Sequence, residues 1–242
     1  MKGSALKRRL VYTAFSLVLF PYAMAEAHLF HKVFELPENQ LTKDYWVLVQ
    51  LVEFPNERFD LAAEVYRGGE RVRLKPGGFR KWLKRPIEPG MVYKADYQLK
   101  RWNGALAEEV QRVDQTYGTA LHQKIKEGLS TRNAEAVKQA FRQVFFYLMS
   151  ELSEAIWERL ENPEAPLQLY QFFFRYFSVS LEAFLAINHR IDYLVLRTTI
   201  EAVGRSLGDP SRDVPPSPEI YEQHRTRFLQ VLAQTLRIPP KA

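Results

Sequence analysis

No cysteine occurs among the 242 residues. Disulfide scaffolds, thiolate-held metals and iron–sulfur clusters, covalently attached c-type haem and cysteine nucleophiles are therefore excluded. Stability must come from a packed core, which a chain of this length can build. Histidine is scarce, at five, and none of His122, His189 and His224 has a glutamate three residues before it. The Glu-x-x-His element of di-iron bundles is thus missing. Also missing are the Gly-x-Ser-x-Gly nucleophile turn, the His-Glu-x-x-His zinc helix, the Walker loop and the dinucleotide fingerprint. Nothing here announces an enzyme, although scattered histidines can still meet in space.

Charge of one sign is less abundant than the total suggests. Lys and Arg number 34 against 28 Asp and Glu, a formal net charge of +6. Lys2, Lys7, Arg8 and Arg9 precede the first acid, and removing them from +6 leaves +2. A near-neutral remainder does not imply nucleic acid as a partner. Those four cations read as the n-region of an export signal spanning 1–27. An apolar run from Leu10 to Phe20 follows, then Pro21 and small residues. Cleavage after Ala25 (Ala23-Met24-Ala25) or after Ala27 (Ala25-Glu26-Ala27) satisfies the small-x-small rule. The run is short for a bilayer span, which favours cleavage, with a retained anchor as the alternative. The implied location is the periplasm of a Gram-negative envelope, with association to the inner membrane as a variant.

Residues 28–102 predict a small antiparallel β unit. The segment from Tyr45 to Phe54 is rich in β-branched and aromatic residues and ends at the turn signal Pro55-Asn56. Val65 to Val72 carries Gly68-Gly69 between alternating residues, the composition of a two-residue hairpin turn. Met91 to Leu99 alternates again. A broken helix pair over 42–66 is the competing reading, since short apolar runs are ambiguous.

From Asn103 onward the spacing becomes helical. Leu106, Val110, Val113, Tyr117, Leu121 and Ile125 mark a first helix, stopped by Gly128, with Ser130 or Thr131 capping the next. Val137 to Leu160 forms the second, residues 166–187 the third, and His189 to Leu207 the fourth. A proline-rich linker from Asp209 to Pro218 precedes a last helix opened by Ser217-Pro218-Glu219. The fold class expected is therefore α+β, mostly α: a β unit over 28–102, then a bundle of about five helices over 103–242. Within the bundle, Gln143, Phe145, Phe146, Ser150, Glu154 and Ala155 recur 28 residues later as Gln171, Phe173, Phe174, Ser178, Glu182 and Ala183. Asn162-Pro163-Glu164-Ala165-Pro166 lies between, so an aromatic helical hairpin is predicted to seed the core.

Three groups of residues are candidates for function. The basic run contains Arg67, Arg71, Arg73, Lys75, Arg80, Lys81, Lys84 and Arg85, opposed only by Glu70 and interleaved with Phe79, Trp82 and Leu83. Arg71, Arg73, Arg80, Lys81, Trp82, Lys84 and Arg85 suit docking on an acidic protein or an anionic membrane surface. The competing reading is an exposed loop with scattered charge. Glu151, Glu154, Glu158 and Glu161 share one helix face and read as a solvated acidic side or a dock for a basic partner. The rings of Phe145, Phe146, Phe173 and Phe174, with His189 beside them, could line a pocket for haem or another apolar ligand. Filling a bundle core is the simpler use for them. Finally, cleavage after Ala27 would expose His28 as the first residue, with His31 nearby. An amine, its own imidazole and a second imidazole form a T-shaped copper site, and such a site resembles the histidine brace of some exported copper proteins.

The expectation that gathers these readings is a non-catalytic, periplasmic accessory or binding protein that docks on a protein partner or the inner-membrane surface. A carrier of copper, haem or a small apolar ligand is the alternative.

Overall fold

The structure, a computed structural model, describes residues 40–68, 72–73, 93–94, 106–162 and 165–239. They are helical almost throughout, and the predicted β unit is not formed. The run read as a strand is helix α1, Gln40–Val52, and α2 follows at Phe59–Tyr66. The reason lies in which side chains are hidden. Leu41, Tyr45, Leu48 and Leu51 of α1 and Phe59, Ala62, Val65 and Tyr66 of α2 are buried, while Lys43 and Trp46 face out. Buried positions thus recur every three or four residues, the helical period, and the burial of one helix face overrides the β preference of single residues. Among the described residues the strand ladder is β1, Val72–Arg73, antiparallel to β2, Tyr93–Lys94, with Val72 opposite Lys94, besides one isolated bridge between Asp209 and Val214. Two residues a side cannot form a sheet with a face of its own. Gly68, read as half of a hairpin turn, instead ends α2 at φ +79°.

The next stripe divides. α3, Leu106–Tyr117, and α4, Leu121–Ser130, are separate helices, because Gly118 takes φ +66°, a value that ends a helix cheaply only at glycine. Asp114 then reaches across the turn. Its carboxylate accepts from Leu121 N (2.7 Å), His122 N (2.8 Å) and Thr119 Oγ1 (2.5 Å), so the first amides of α4 are satisfied. Gly128, expected to stop this helix, lies inside it. A Cβ there would sit 2.8 Å from Val137 Cγ2, so the glycine is needed for α4 to lie close on α5, Ala134–Trp157. Asn133, rather than Ser130 or Thr131, caps α5 by accepting from Ala136 N at 3.0 Å.

Beyond residue 165 the chain continues as α6, Ala165–Phe177, a π-helical turn, Ser178–Glu182, and α7, Ala183–Asn188. It bends at His189 into α8, Arg190–Ser206, and after the 209–217 linker ends with α9, Pro218–Leu236. α8 lies along α9, and α4 and α6 both pack on α5. Two apolar clusters result. One joins α1 and α2 to α3, α4 and the first half of α5. The other joins the second half of α5 to α6 through α9. Phe146 and Tyr176 touch both.

Among the described residues Arg142 places its guanidinium in the interior. Arg142 is 5% exposed, yet its cation is satisfied: Nη1 donates to Glu135 Oε1 at 2.5 Å and to Gln139 Oε1 at 3.1 Å, and its Cζ lies 3.7 Å from the Phe184 ring centroid. A buried charge survives only with such partners. Among the described residues no helix is long and apolar enough to cross a membrane.

Candidate functional site

A cleft of about 550 Å³ lies between α2 and α4. Its apolar part is Phe59, Ala63 and Tyr66 from α2 with Leu129 from α4. Phe59 and Tyr66 point inward because they occupy the buried stripe of α2, and Leu129 does the same on α4. Three cations stand around these residues, Arg67, Lys126 and Arg132, with Asp60 as the one carboxylate in the lining. Asp60 is already neutralised by Arg58, Nη2 to Oδ2 at 2.9 Å, and this neighbour holds its carboxyl below the usual range. Arg67 pairs with Glu64 one turn back. Arg132 lies over the Phe59 ring at 5.6 Å and donates to Glu57 O at 3.1 Å. Lys126 makes no ion pair among the described residues and is exposed. The cleft therefore carries an excess of positive charge over an aromatic wall, a combination that attracts an anion with an apolar body.

His122 forms the polar wall. Its Nδ1 is 2.9 Å from the Tyr66 hydroxyl and its Nε2 is 3.3 Å from the Gln111 side-chain amide. Burial pushes the imidazole below its ordinary pKa, Lys126 adds to the effect, and Asp114 opposes it. Burial pushes the Tyr66 hydroxyl far up, with Asp114 adding to the rise. At neutral pH the pair is thus a neutral phenol and a neutral imidazole sharing one proton between oxygen and Nδ1. Asp114 fixes its height: by capping α4 it holds the backbone of His122 against α3.

The predicted site residues fall elsewhere. His28, His31, Arg71, Arg80, Lys81, Trp82, Lys84 and Arg85 lie outside the described residues, and of Arg73 only the backbone, paired with Tyr93, is described. Phe145 and Phe173 are buried in different clusters. The first packs edge-on against Tyr45 and Tyr176, the second against Phe228. Phe146 and Phe174 are half-buried, and Phe174 lies under Arg197 at 4.9 Å. His189 sits at the bend before α8, 5.3 Å from the Phe184 ring and 4.0 Å from Asp192. None of these lines the α2–α4 cleft. On the acidic face, Glu151 accepts from Arg112 at 2.7 Å, Glu154 from Arg225 at 2.7 Å and Glu158 from Arg159 at 3.3 Å, so most of that charge is spent internally. No group of three metal-ligating side chains occurs among the described residues.

Sequence reasoning passed over His122, Tyr66 and Lys126. Two signals pointed to them: Lys126 four residues after His122 on one helix face, and Arg67 at the start of the basic run. Set against protein-family models, curated proteins and solved structures, the chain matches none.

Proposed function

We propose that this protein is an exported, non-catalytic docking module, and that it receives an acidic segment of a partner protein in the α2–α4 cleft. The observation that carries the reading is the placement of Lys126 and Arg132, which make no ion pair among the described residues, beside Arg67 (held by Glu64) and around Phe59, Tyr66 and Leu129. Arg67 is also the first residue of the basic run ending at Arg85, so the cleft and the run are continuous in sequence. The signal-like residues 1–27 support export, and a periplasmic partner, at the inner membrane or free, is the class that fits. Carboxylate recognition at such a rim weakens with salt because exposed charges are screened over about 8 Å at physiological ionic strength.

Anisotropy of a labelled glutamate-rich peptide against the full chain tests this. Binding should weaken on going from low to high salt, and the double variant R67S/K126S should bind about tenfold less tightly. Both side chains are exposed, so the variant should fold as the parent does. Equal affinity for parent and variant would remove the cleft from the reading.

A further inference from the structure

The chemistry of the cleft goes one step further than its charge. We propose that it binds a carboxylate carried on an aromatic or branched apolar body, and that His122 takes up a proton from solvent as the carboxylate enters. This rests on reading the cleft as a docking site.

The argument is geometric. Phe59, Tyr66 and Leu129 give a wall for an apolar body, and Lys126 brings a cation to the same lining. A fully polar chain of carboxylates would leave that wall unused, and an apolar ligand without an anion would leave the cations unused. His122 completes the site. In its neutral form it holds one proton between Nδ1 and the Tyr66 oxygen at 2.9 Å. When protonated, both of its nitrogens donate. Nδ1–H then donates to the Tyr66 oxygen, Nε2–H donates to the side-chain carbonyl of Gln111 once that amide turns, and the Tyr66 hydroxyl proton is released to donate elsewhere. The charged and titratable groups around His122 are Asp60 (held by Arg58), Tyr66 and Arg67 on α2, Asp114 on α3, Lys126 on its own helix and Arg132 in the following turn. Lys126 opposes protonation in the empty cleft, whereas Asp114 favours it. Burial is the larger opponent of the proton and persists, but a bound carboxylate offsets the Lys126 part and adds an attraction of its own, so carboxylate and proton favour each other's binding.

The sign follows. An anion that raises the affinity of His122 for a proton must itself bind more tightly at lower pH. A rise of about one pKa unit on His122 corresponds to about tenfold in affinity. Calorimetry on the full chain with benzoate, at pH 5.5 and pH 7.5, should show a several-fold preference for pH 5.5, tenfold being the limit below both the free and the bound pKa. His122→Gln should bind with the same affinity at both pH values, whatever that affinity is. NMR titration of the parent, with the His122 signal assigned by its absence in H122Q, should show its pKa rise when benzoate is added; this readout does not depend on a variant binding.

Two sources of the carboxylate are separated by a phenylalanine-terminated tripeptide. Tighter binding of its free-acid form than of benzoate points to a polypeptide terminus, and the reverse points to a small free acid. The amidated tripeptide should not bind. Affinity that is the same at both pH values, with His122 unshifted by benzoate, overturns the inference while leaving the docking reading in place. Tight binding of the amidated tripeptide overturns the carboxylate requirement. Loss of glutamate-peptide binding by neither salt nor R67S/K126S overturns the docking reading itself.

Discussion

Gly128→Ala probes the contact on which the cleft depends, because α4 carries His122, Lys126 and Leu129 and is held in place by its crossing with α5. An added Cβ would lie 2.8 Å from Val137 Cγ2, 3.2 Å from Val137 N and 3.3 Å from Asn133 O. Carbon pairs prefer about 3.5–4.0 Å, so the closest contact is short by roughly 0.7 Å. Val137 cannot turn aside. It is fully buried, and a β-branched residue in a helix has essentially one rotamer. The other two atoms are backbone in the first turn of α5, where Val137 N donates to Asn133 O at 3.2 Å. The strain should cost about 1–3 kcal/mol, and alanine should return about 1 kcal/mol of helix propensity. The expected net loss is about 0–2 kcal/mol, measured by urea unfolding followed at 222 nm. Val137→Ala alone should cost about 2 kcal/mol through the cavity it leaves. In the G128A background the same change removes the clashing methyl, so the double variant should be more stable than the two losses summed. A G128A protein more stable than its parent by about the 1 kcal/mol of helix propensity, or additive losses in the double variant, would show that α4 and α5 are not held at this separation.

Asp114→Ala should cost about 1–2 kcal/mol, because Leu121 N and His122 N lose their acceptor, and Asp114→Asn should recover part of it; thermal unfolding distinguishes the three proteins. Phe173→Ala should cost about 3–5 kcal/mol by leaving a cavity beside Phe228, with helix content retained at low temperature in circular dichroism. Alkali should unfold the protein cooperatively. Burial pushes Tyr170 and Tyr117 up to about 12, and Tyr45, Tyr66 and Tyr221 further still. A folded pKa above the unfolded value near 10 gives stability that is complete below pH 10 and lost as pH rises toward the folded values. The urea midpoint should therefore hold to about pH 9.5 and fall steeply by pH 11.5, and a flat profile across that range would contradict the burial of these hydroxyls.

How much of this was legible beforehand depends on whether a residue's use is local. The helices beyond residue 103 could be read because their buried positions recur on one face, and Gly118 alone split a stripe whose apolar period runs unbroken from Leu106 to Ile125. Periodicity cannot see a φ of +66°, since the apolar positions on either side stay in phase. α1 misled for the opposite reason. Its Val, Trp and Tyr favour strands one by one, and only the pattern of burial, with Lys43 and Trp46 outward, reveals the helix. Gly128 reads as a helix stop in the sequence because its role, closeness to Val137, is a fact about another helix. The cleft escaped for the same reason: Tyr66 and His122 are 56 residues apart and meet only through the packing of α2 on α4.

The repeated hairpin shows why the cleft, rather than the aromatic stretch, is the place to look for binding. Its two copies do the same work in opposite directions. Phe145 is buried in the first apolar cluster and Phe173 in the second. Phe146 and Phe174, the next residue in each copy, are both half-buried. Glu154 and Glu182 each hold an arginine from another helix, Arg225 at 2.7 Å and Arg197 at 3.2 Å. The copies part at Ser150 and Ser178, because the second enters the π-helical turn there while the first continues as regular helix. Rings directed inward and carboxylates already paired leave this hairpin little with which to greet a ligand. Around Phe59 and Tyr66 the rings are buried too, but they floor a cleft whose rim carries Lys126, which has no counter-ion among the described residues. With the hairpin's rings and carboxylates so largely engaged among the described residues, Lys126 and Arg132 beside the α2–α4 cleft are the cations placed to meet an anion.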